Sequence, residues 1–506
     1  MATYKKFVKD VSLVGITRLI LMLRGLILIP IIAKTLGASG YGIWAQVVVT
    51  IKFLAPLATL TLDFTFVRFF AGQKKKEAIQ EGFYSILMTI FCWSSLLASV
   101  IFLLATPIST VLFKNAEATV IVRLTAILVP FSCLNTLFLF YFRTFRQMRA
   151  YAALMITQIF GEIVLIFCLI LFGFGVYGAV LSLLIVSILM DLIMLGMIVS
   201  QIGIKFPKFS KIRYFLRFSL PLIPSNLSHW MTDSSDRYVI ALFIGMESVG
   251  IYSVAYQIGS LILMFVIPLN FVLVPVLSKS YDEGKTEEVK NLLAYSLKYL
   301  LILIIPAAFG VSILGKSLLQ NMTKSEFVSS GWTVIPFVAL SMVLFCIYEI
   351  IWQVANMVKE TKIIGMIWGM AGLTNLGLNI IFVPLIGILG AAISTLICFA
   401  MVTGVTAFYS TKWLRFHIDW QLIPKSITAS IIMCFIIWCI NPVKVLTIIL
   451  CIGIGVGVYF TVLFLLKGFT TKEIKFLRSI FRINYKAFGQ GKKYEQNSQN
   501  RDFNRK

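Results

Sequence analysis

The sequence holds only two histidines, His229 and His417, with no ligand-like spacing around either, so a histidine-built metal centre is not expected. Its eight cysteines all lie inside apolar runs and none forms a CxxC pair. That excludes a disulfide framework and leaves them as small buried hydrophobes. Acidic residues are scarce, 21 against 45 Lys and Arg, and charged residues make up only 13% of the chain. There is no Walker loop, no strand-to-helix GxGxxG, no HExxH and no GxSxG. ATP-driven transport within this chain is therefore not expected. Nor is a membrane glycosyltransferase or polymerase, which would want a large outer loop or an acidic metal cluster. No cleavable leader is expected either. Residues 1–10 are polar and basic, and the apolar run that follows is too long for a signal segment.

What is abundant is hydrophobicity, at 59% of residues, in long continuous runs from end to end. Continuous rather than alternating runs imply a polytopic bundle of helices, not a β-barrel. We read fourteen spans, at 11–33, 41–63, 83–106, 118–141, 152–172, 177–202, 216–243, 250–277, 293–314, 329–357, 363–383, 388–411, 423–440 and 444–467. The net charge of +24 sits mainly in alternate short connections, for example Lys74, Lys75 and Lys76, Arg143, Arg146 and Arg149, and Lys205, Lys208 and Lys211. The positive-inside rule accounts for this better than nucleic-acid binding, and it places both termini in the cytoplasm of a multi-pass cell-membrane protein. Residues 470–483 form a candidate basic amphipathic helix on the inner leaflet.

The chain repeats itself. GYGIW at Gly40 matches SVGIY at Ser248, an offset of 208 residues, and GVYGAVLS at Gly175 matches GILGAAIS at Gly387, an offset of 212. Each copy holds six spans, an even number, so both insert with the same topology, as two parallel lobes about an axis along the membrane normal. The expected organisation is an N-lobe at 1–202, a basic linker at 203–217, a C-lobe at 218–411, two further spans within 412–467 and a basic tail at 468–506.

Few charges lie deep, and each needs a reason, because a charge at the bilayer centre costs about 2.5–3.5 kcal/mol even on lenient scales. In the seventh span Asn226, His229, Asp233, Asp236 and Arg237 share one stripe about 100° wide, which must face protein or water. The competing reading is an ion pair that locks two helices, with Asp233 to Arg237 in the favoured i,i+4 order. Arg18 and Arg24 lie about 10 and 20 Å along the first span, and Lys52 lies near the middle of the second, sharing a face with Pro56, Thr59 and Asp63. Lys52 has Glu162 as a candidate partner, and Arg18 can instead snorkel to the cytoplasmic side. Glu349, Gln353 and Asn356 share a face of the tenth span, and Asn375 and Asn379 a face of the eleventh, where polar contacts between helices are the plain alternative.

The pattern Lys34-x-Leu36-Gly37-x-x-Gly40-Tyr41-Gly42 resembles the start of the polysaccharide-type flippases of the multidrug/oligosaccharidyl-lipid/polysaccharide exporter superfamily. The Asp236-Arg237 pair followed by Gly245, Val249, Gly250, Tyr252 and Ala255 resembles the opening of that family's second lobe. The resemblance reaches to about Lys467, although Lys34 stands where arginine is common. It implies alternating-access export of polyprenyl-pyrophosphate-linked oligosaccharide, with Arg18 and Arg24 as cavity cations that bind the pyrophosphate and the last two helices extending a groove for the lipid tail. Lys52 and Arg237 complete the expected substrate-binding set. Glu162, Asp233, Asp236 and Glu349 are the acids expected to couple transport to a proton or sodium gradient. No metal and no other cofactor is expected. The implied partners are membrane lipids and the polymerase and glycosyltransferases of the same pathway, and no nucleic acid. A peptidoglycan lipid-precursor flippase and a cation/drug antiporter of the same superfamily remain rivals. The antiporter would show twelve spans and an acid-dominated cavity.

Overall fold

A computed structural model describes residues 2–113, 118–469 and 473; within these, the side chains of 2–14, 16, 18, 271, 272 and 361 fall outside the description. Among the described residues the protein is all helix, with no strand. The first half comprises α1 (Ala2–Ala58), α2 (Leu62–Phe70), α3 (Lys76–Leu103), the short α4 (Ala105–Ile108), α5 (Thr119–Thr144), α6 (Met148–Leu171), α7 (Gly175–Ile202) and α8 (Ile212–Ser219). The second half comprises α9 (Ile223–Phe243), α10 (Met246–Gly259), α11 (Leu263–Asp282), α12 (Thr286–Met322), α13 (Ser325–Met357), α14 (Thr361–Ile386) and α15 (Ile388–Trp413), followed by α16 (Leu422–Ile440) and α17 (Val445–Leu465).

Among the described residues, twelve helical stretches are long and apolar enough to cross a membrane. The first, α1, kinks at Gly37 and supplies two spans, and the 21-residue α9 is long enough to cross although its polar stripe lowers its hydropathy. Together these account for the expected fourteen. Three details differ from the sequence reading. The first two spans are not separated by a loop. Gly37 takes a positive φ of 73° inside an otherwise continuous helix, a conformation that glycine reaches without strain. The second span ends at Ala58 rather than 63, because Leu60 and Thr61 are both left-handed, with φ of 51°. Asp63 consequently starts α2 instead of continuing the Lys52 face. The eighth span breaks at a 3₁₀ turn, Ser260–Ile262, between α10 and α11.

The repeat motifs have a common backbone cause. Gly37 and Gly245 occupy the same place in the two copies, as do Gly175 and Gly387, and all four carry positive φ. Each permits one helix to end and the next to start at the same bundle edge. One hydrophobic core fills the second half and reaches across to α1, α6 and α7. Another, built on Phe66, Phe83, Leu137, Phe142 and Met194, fills the first half and takes in Phe215 of α8, so part of the basic linker is a docked helix. The last two helices lean on α12, where the Tyr459 hydroxyl donates to the Ile302 carbonyl at 2.9 Å.

The amphipathic helix expected at 470–483 lies outside the described residues except for Glu473. That carboxylate pairs with Lys298 of α12 at 2.9 Å, and both side chains are more than nine-tenths buried. Asp419 approaches the same ammonium at 3.4 Å. Lys298→Met leaves Glu473 without its cation and is expected to lower stability by on the order of 3 kcal/mol, the scale of a broken buried pair. Adding Glu473→Gln should recover most of the lost thermal stability; a double variant as unstable as Lys298→Met would show that the pair is not the cause.

Candidate functional site

The lobes meet along α1, whose residues Arg24, Leu28, Tyr41, Ala45, Val48 and Lys52 recur at helical spacing on the face turned toward α9 and α10. Between them lies a cavity of about 380 Å³, closed on the far side by Asp233, Ser234 and Arg237 of α9 and Ser253, Tyr256 and Gln257 of α10. Two more cavities adjoin it. One, of about 370 Å³, runs into the second half past His229, Asp233 and Trp368. The other, of about 240 Å³, runs into the first half past Gln158, Glu162, Asn135 and Ser187. Lys52 lines all three, Arg24 lines the first and third, and Asp233 the first and second.

The charges are partnered unequally. Arg24 forms an ion pair with Glu162 of α6 at 2.6 Å; its side chain is 25% exposed, whereas that of Glu162 is 6% exposed. Glu162 also accepts from Gln158 at 3.1 Å. The partner of Glu162 is therefore Arg24 and not the Lys52 suggested by sequence. Lys52 is exposed and forms no ion pair among the described residues. Arg18 lies on α1, with its side chain outside the described residues.

The stripe on α9 splits between two duties. Asp236 is buried; it pairs with Arg237 at 2.9 Å and accepts from the Tyr252 hydroxyl. Arg237 donates to the main-chain oxygen of Asp233 at 2.8 Å, and its guanidinium lies 4.5 Å from the centroid of the Tyr256 ring, a cation–π contact. The pair is thus Asp236–Arg237 and not the i,i+4 pair Asp233–Arg237. The arginine folds back onto the helix backbone beneath the rings of Tyr252 and Tyr256 of α10, and its open side is the cavity. Asp233 is held by Ser234 at 3.0 Å and by Tyr256 at 3.3 Å, and it faces the cavities. His229 stacks on Trp368 with ring centroids 4.1 Å apart. Glu349 lines none of these three cavities; it accepts from Asn270 between α11 and α13. The sequence reading named Tyr252 only as part of the family pattern and passed over Tyr256 and Ser260, although the i,i+4,i+8 spacing of the three marks one polar face of the eighth span. It also missed Gln257, which meets the Tyr41 hydroxyl across the lobes at 3.2 Å.

One end of the lobe interface, that farther from the basic loops, is sealed by backbone. The repeat positions Gly42 and Gly250 face each other so closely that a Cβ on Gly42 would lie 1.9 Å from the Met246 carbonyl oxygen, and one on Gly250 would lie 2.0 Å from that of Ala38. Glu326 of α13 accepts from the Ala38 amide at 2.7 Å beside this seal.

Comparisons with known proteins match this architecture. A family profile described as "Polysaccharide biosynthesis protein" covers residues 7–281, and one described as MatE covers 221–384. The chain is similar to the probable low-salt glycan biosynthesis flippase Agl15 of Haloferax volcanii, at 22% identity over 46% of this chain and 49% of that one. It is 30% identical to the probable flippase AglR of the same organism over 34% of this chain and 36% of the relative. It is 25% identical to the succinoglycan biosynthesis transport protein ExoT of Rhizobium meliloti over 62% and 61%. The matches thus span less than two thirds of each of these relatives. Among solved structures, the lipid II flippase MurJ in an inward closed conformation superposes with a TM-score of 0.74, at 17% identity over 91% of this chain and 99% of that one. An inward-facing multidrug resistance MATE family transporter superposes with a TM-score of 0.65, at 17% identity over 79% and 97%. These likenesses show the fold.

Proposed function

The chain belongs to the polysaccharide biosynthesis protein family of the multidrug/oligosaccharidyl-lipid/polysaccharide exporter superfamily, and from that premise we propose that it flips polyprenyl-pyrophosphate-linked oligosaccharide across the cell membrane by alternating access between its lobes. The observation that carries the proposal is Lys52, an exposed cation without an ion-pair partner among the described residues, at the junction of three cavities and beside Arg24. A pyrophosphate in a low-dielectric passage needs fixed compensating cations. A cation in no contact ion pair, with Asp233 acting on it only from across the cavity, can engage it without first breaking such a pair. The sealed end at Gly42 and Gly250 faces outward in this reading, and the sugar enters from the cytoplasm. A drug antiporter would favour acids; among the residues lining the first cavity three cations face one acid, Asp233. The surface-polymer polymerase and glycosyltransferases are the proposed pathway partners.

Membrane vesicles carrying the protein should move an undecaprenyl-pyrophosphate oligosaccharide to the outer leaflet, read as glycan accessible to an impermeant enzyme. Lys52→Met should reduce that rate at least tenfold with unchanged thermal stability. Equal rates for the wild type and empty vesicles would refute the function. Faster movement of the peptidoglycan precursor than of the oligosaccharide would move the assignment to the rival substrate. Orientation is tested separately: a cysteine at Lys208 should react with impermeant maleimide only from the cytoplasmic side, and one at Ser39 only from outside. Reversed labelling would invert the proposed topology.

A further inference from the structure

The acids expected to couple transport are already engaged: Glu162 by Arg24, Asp236 by Arg237, Asp233 by Ser234 and Tyr256, and Glu349 by Asn270. Asp191 of α7 is different. It is 6% exposed, neither carboxylate oxygen is closed by a well-formed hydrogen bond, the Asn135 amide being its one polar neighbour, and no cation pairs with it among the described residues. Asn135 of α5, equally buried, lies beside it, with an amide nitrogen that likewise closes no well-formed hydrogen bond. Asn135 lines the 240 Å³ cavity, as does Ser187, one helical turn before Asp191. A buried carboxylate lies behind an amide that opens onto the chamber holding Arg24 and Lys52.

A bare carboxylate in an apolar interior is so costly that the group takes a proton or a counter-ion instead. The core along this part of α5 and α7 is built by Val129, Cys133, Met190 and Met194, and among the described residues no group of three or more His, Cys, Asp or Glu side chains stands there to hold a metal ion. The charged and titratable groups facing this region are few. From α5 comes Cys133, and from α2 comes Asp63, which lies within electrostatic reach of the same thiol. From α6 and α1 come Glu162 with Arg24, and Lys52 across the cavity. On α3 the buried titratable residue is Tyr84, while Lys76, Glu77 and Glu81 lie in its first two turns and Cys92 is exposed. Asp63 has the N-terminal turn of α2 for compensation; Asp191 sits in mid-helix and has none.

We infer that Asp191 is a proton-binding site of the first lobe, loaded from water in the adjoining cavity past Asn135, and that this proton couples export to the proton gradient. The inference rests on the flippase reading for its second half only. In the step itself, hydronium in the cavity gives its proton to one Asp191 oxygen and leaves as water. When the lobes exchange sides the acid returns that proton to water of the opposite compartment, and the Asn135 amide then donates to the carboxylate left behind.

Two measurements on the full-length protein test this. Infrared spectra in detergent at neutral pH should contain a protonated-carboxyl band that disappears at alkaline pH and is absent in Asp191→Asn. Asparagine mimics the neutral acid, so the variant should melt as the wild type does. In vesicles, an imposed pH gradient should accelerate oligosaccharide export by the wild type severalfold and leave Asp191→Asn unaffected, with its gradient-free rate retained. Absence of any band assignable to Asp191, or equal gradient stimulation of both proteins, overturns the inference. So does stabilisation of the wild type alone by sodium at constant pH, which would make the site a sodium site. If the wild type moves no oligosaccharide, the flippase reading fails, while the infrared band still decides whether Asp191 holds a proton.

Discussion

Arg24→Ala is expected to abolish export and also to lower stability, and the geometry separates the two effects. The partner acid is almost fully buried while the arginine is partly exposed to the cavity. Removing the arginine strands Glu162 in an apolar setting, which costs about 3–5 kcal/mol for a fully buried pair and less here because cavity water screens it. Combining Arg24→Ala with Glu162→Gln removes the stranded charge at nearly constant shape. The double variant should therefore regain the wild-type melting temperature yet remain at least a hundredfold slower in export, because a guanidinium that grips phosphate oxygens through paired donors has been lost. Arg24→Lys should fall between the two, since charge survives and the planar fork does not. Recovery of stability and export together in the double variant would identify Arg24 as a structural partner of Glu162 and nothing more.

The second large effect is expected at the glycine seal. A methyl at Gly42 would meet the Met246 carbonyl oxygen at 1.9 Å, and the Gly250 amide nitrogen is 3.0 Å from the same position. Both neighbours are backbone, so the obstruction cannot be relieved by a rotamer change. Overpacking in a core costs roughly 1–3 kcal/mol even where side chains can shift. Applied to the closed arrangement alone, such a penalty tilts the population toward the open one by about tenfold or more. Gly42→Ala should therefore expose a cysteine placed at Lys52 to an impermeant reagent from outside at least ten times faster, and slow export in proportion. Gly250→Ala should do the same, because the two positions are equivalent in the repeat and touch each other. The two substitutions together should have little more effect than one, since lobes already parted have no contact left to lose. Additive effects, or wild-type labelling in Gly42→Ala, would mean that this contact does not close the outer end during transport.

The membrane fold, the near-boundaries of the spans and the repeated glycine positions were legible in the residues alone, because these depend on hydrophobic run length, on polar breaks between runs and on the conformational freedom of glycine. All three are properties of neighbouring residues along one chain. The sequence also determined that the α9 stripe must face away from lipid, since the cost of a charge in hydrocarbon does not depend on what lies opposite. Tertiary structure decided the partners. Arg24 rather than Lys52 meets Glu162, and Asp236 rather than Asp233 meets Arg237. Lys52 is left exposed, Asp191 is left without a cation and with only the Asn135 amide beside it, and Gly42 comes to lie against Gly250. Helical period places a side chain on a face of its own helix, but its partner depends on the depth and rotation of a second helix far away in sequence. Those two quantities are set by how the lobes pack, so the division of the deep charges into bound and free could be read only from the assembled bundle.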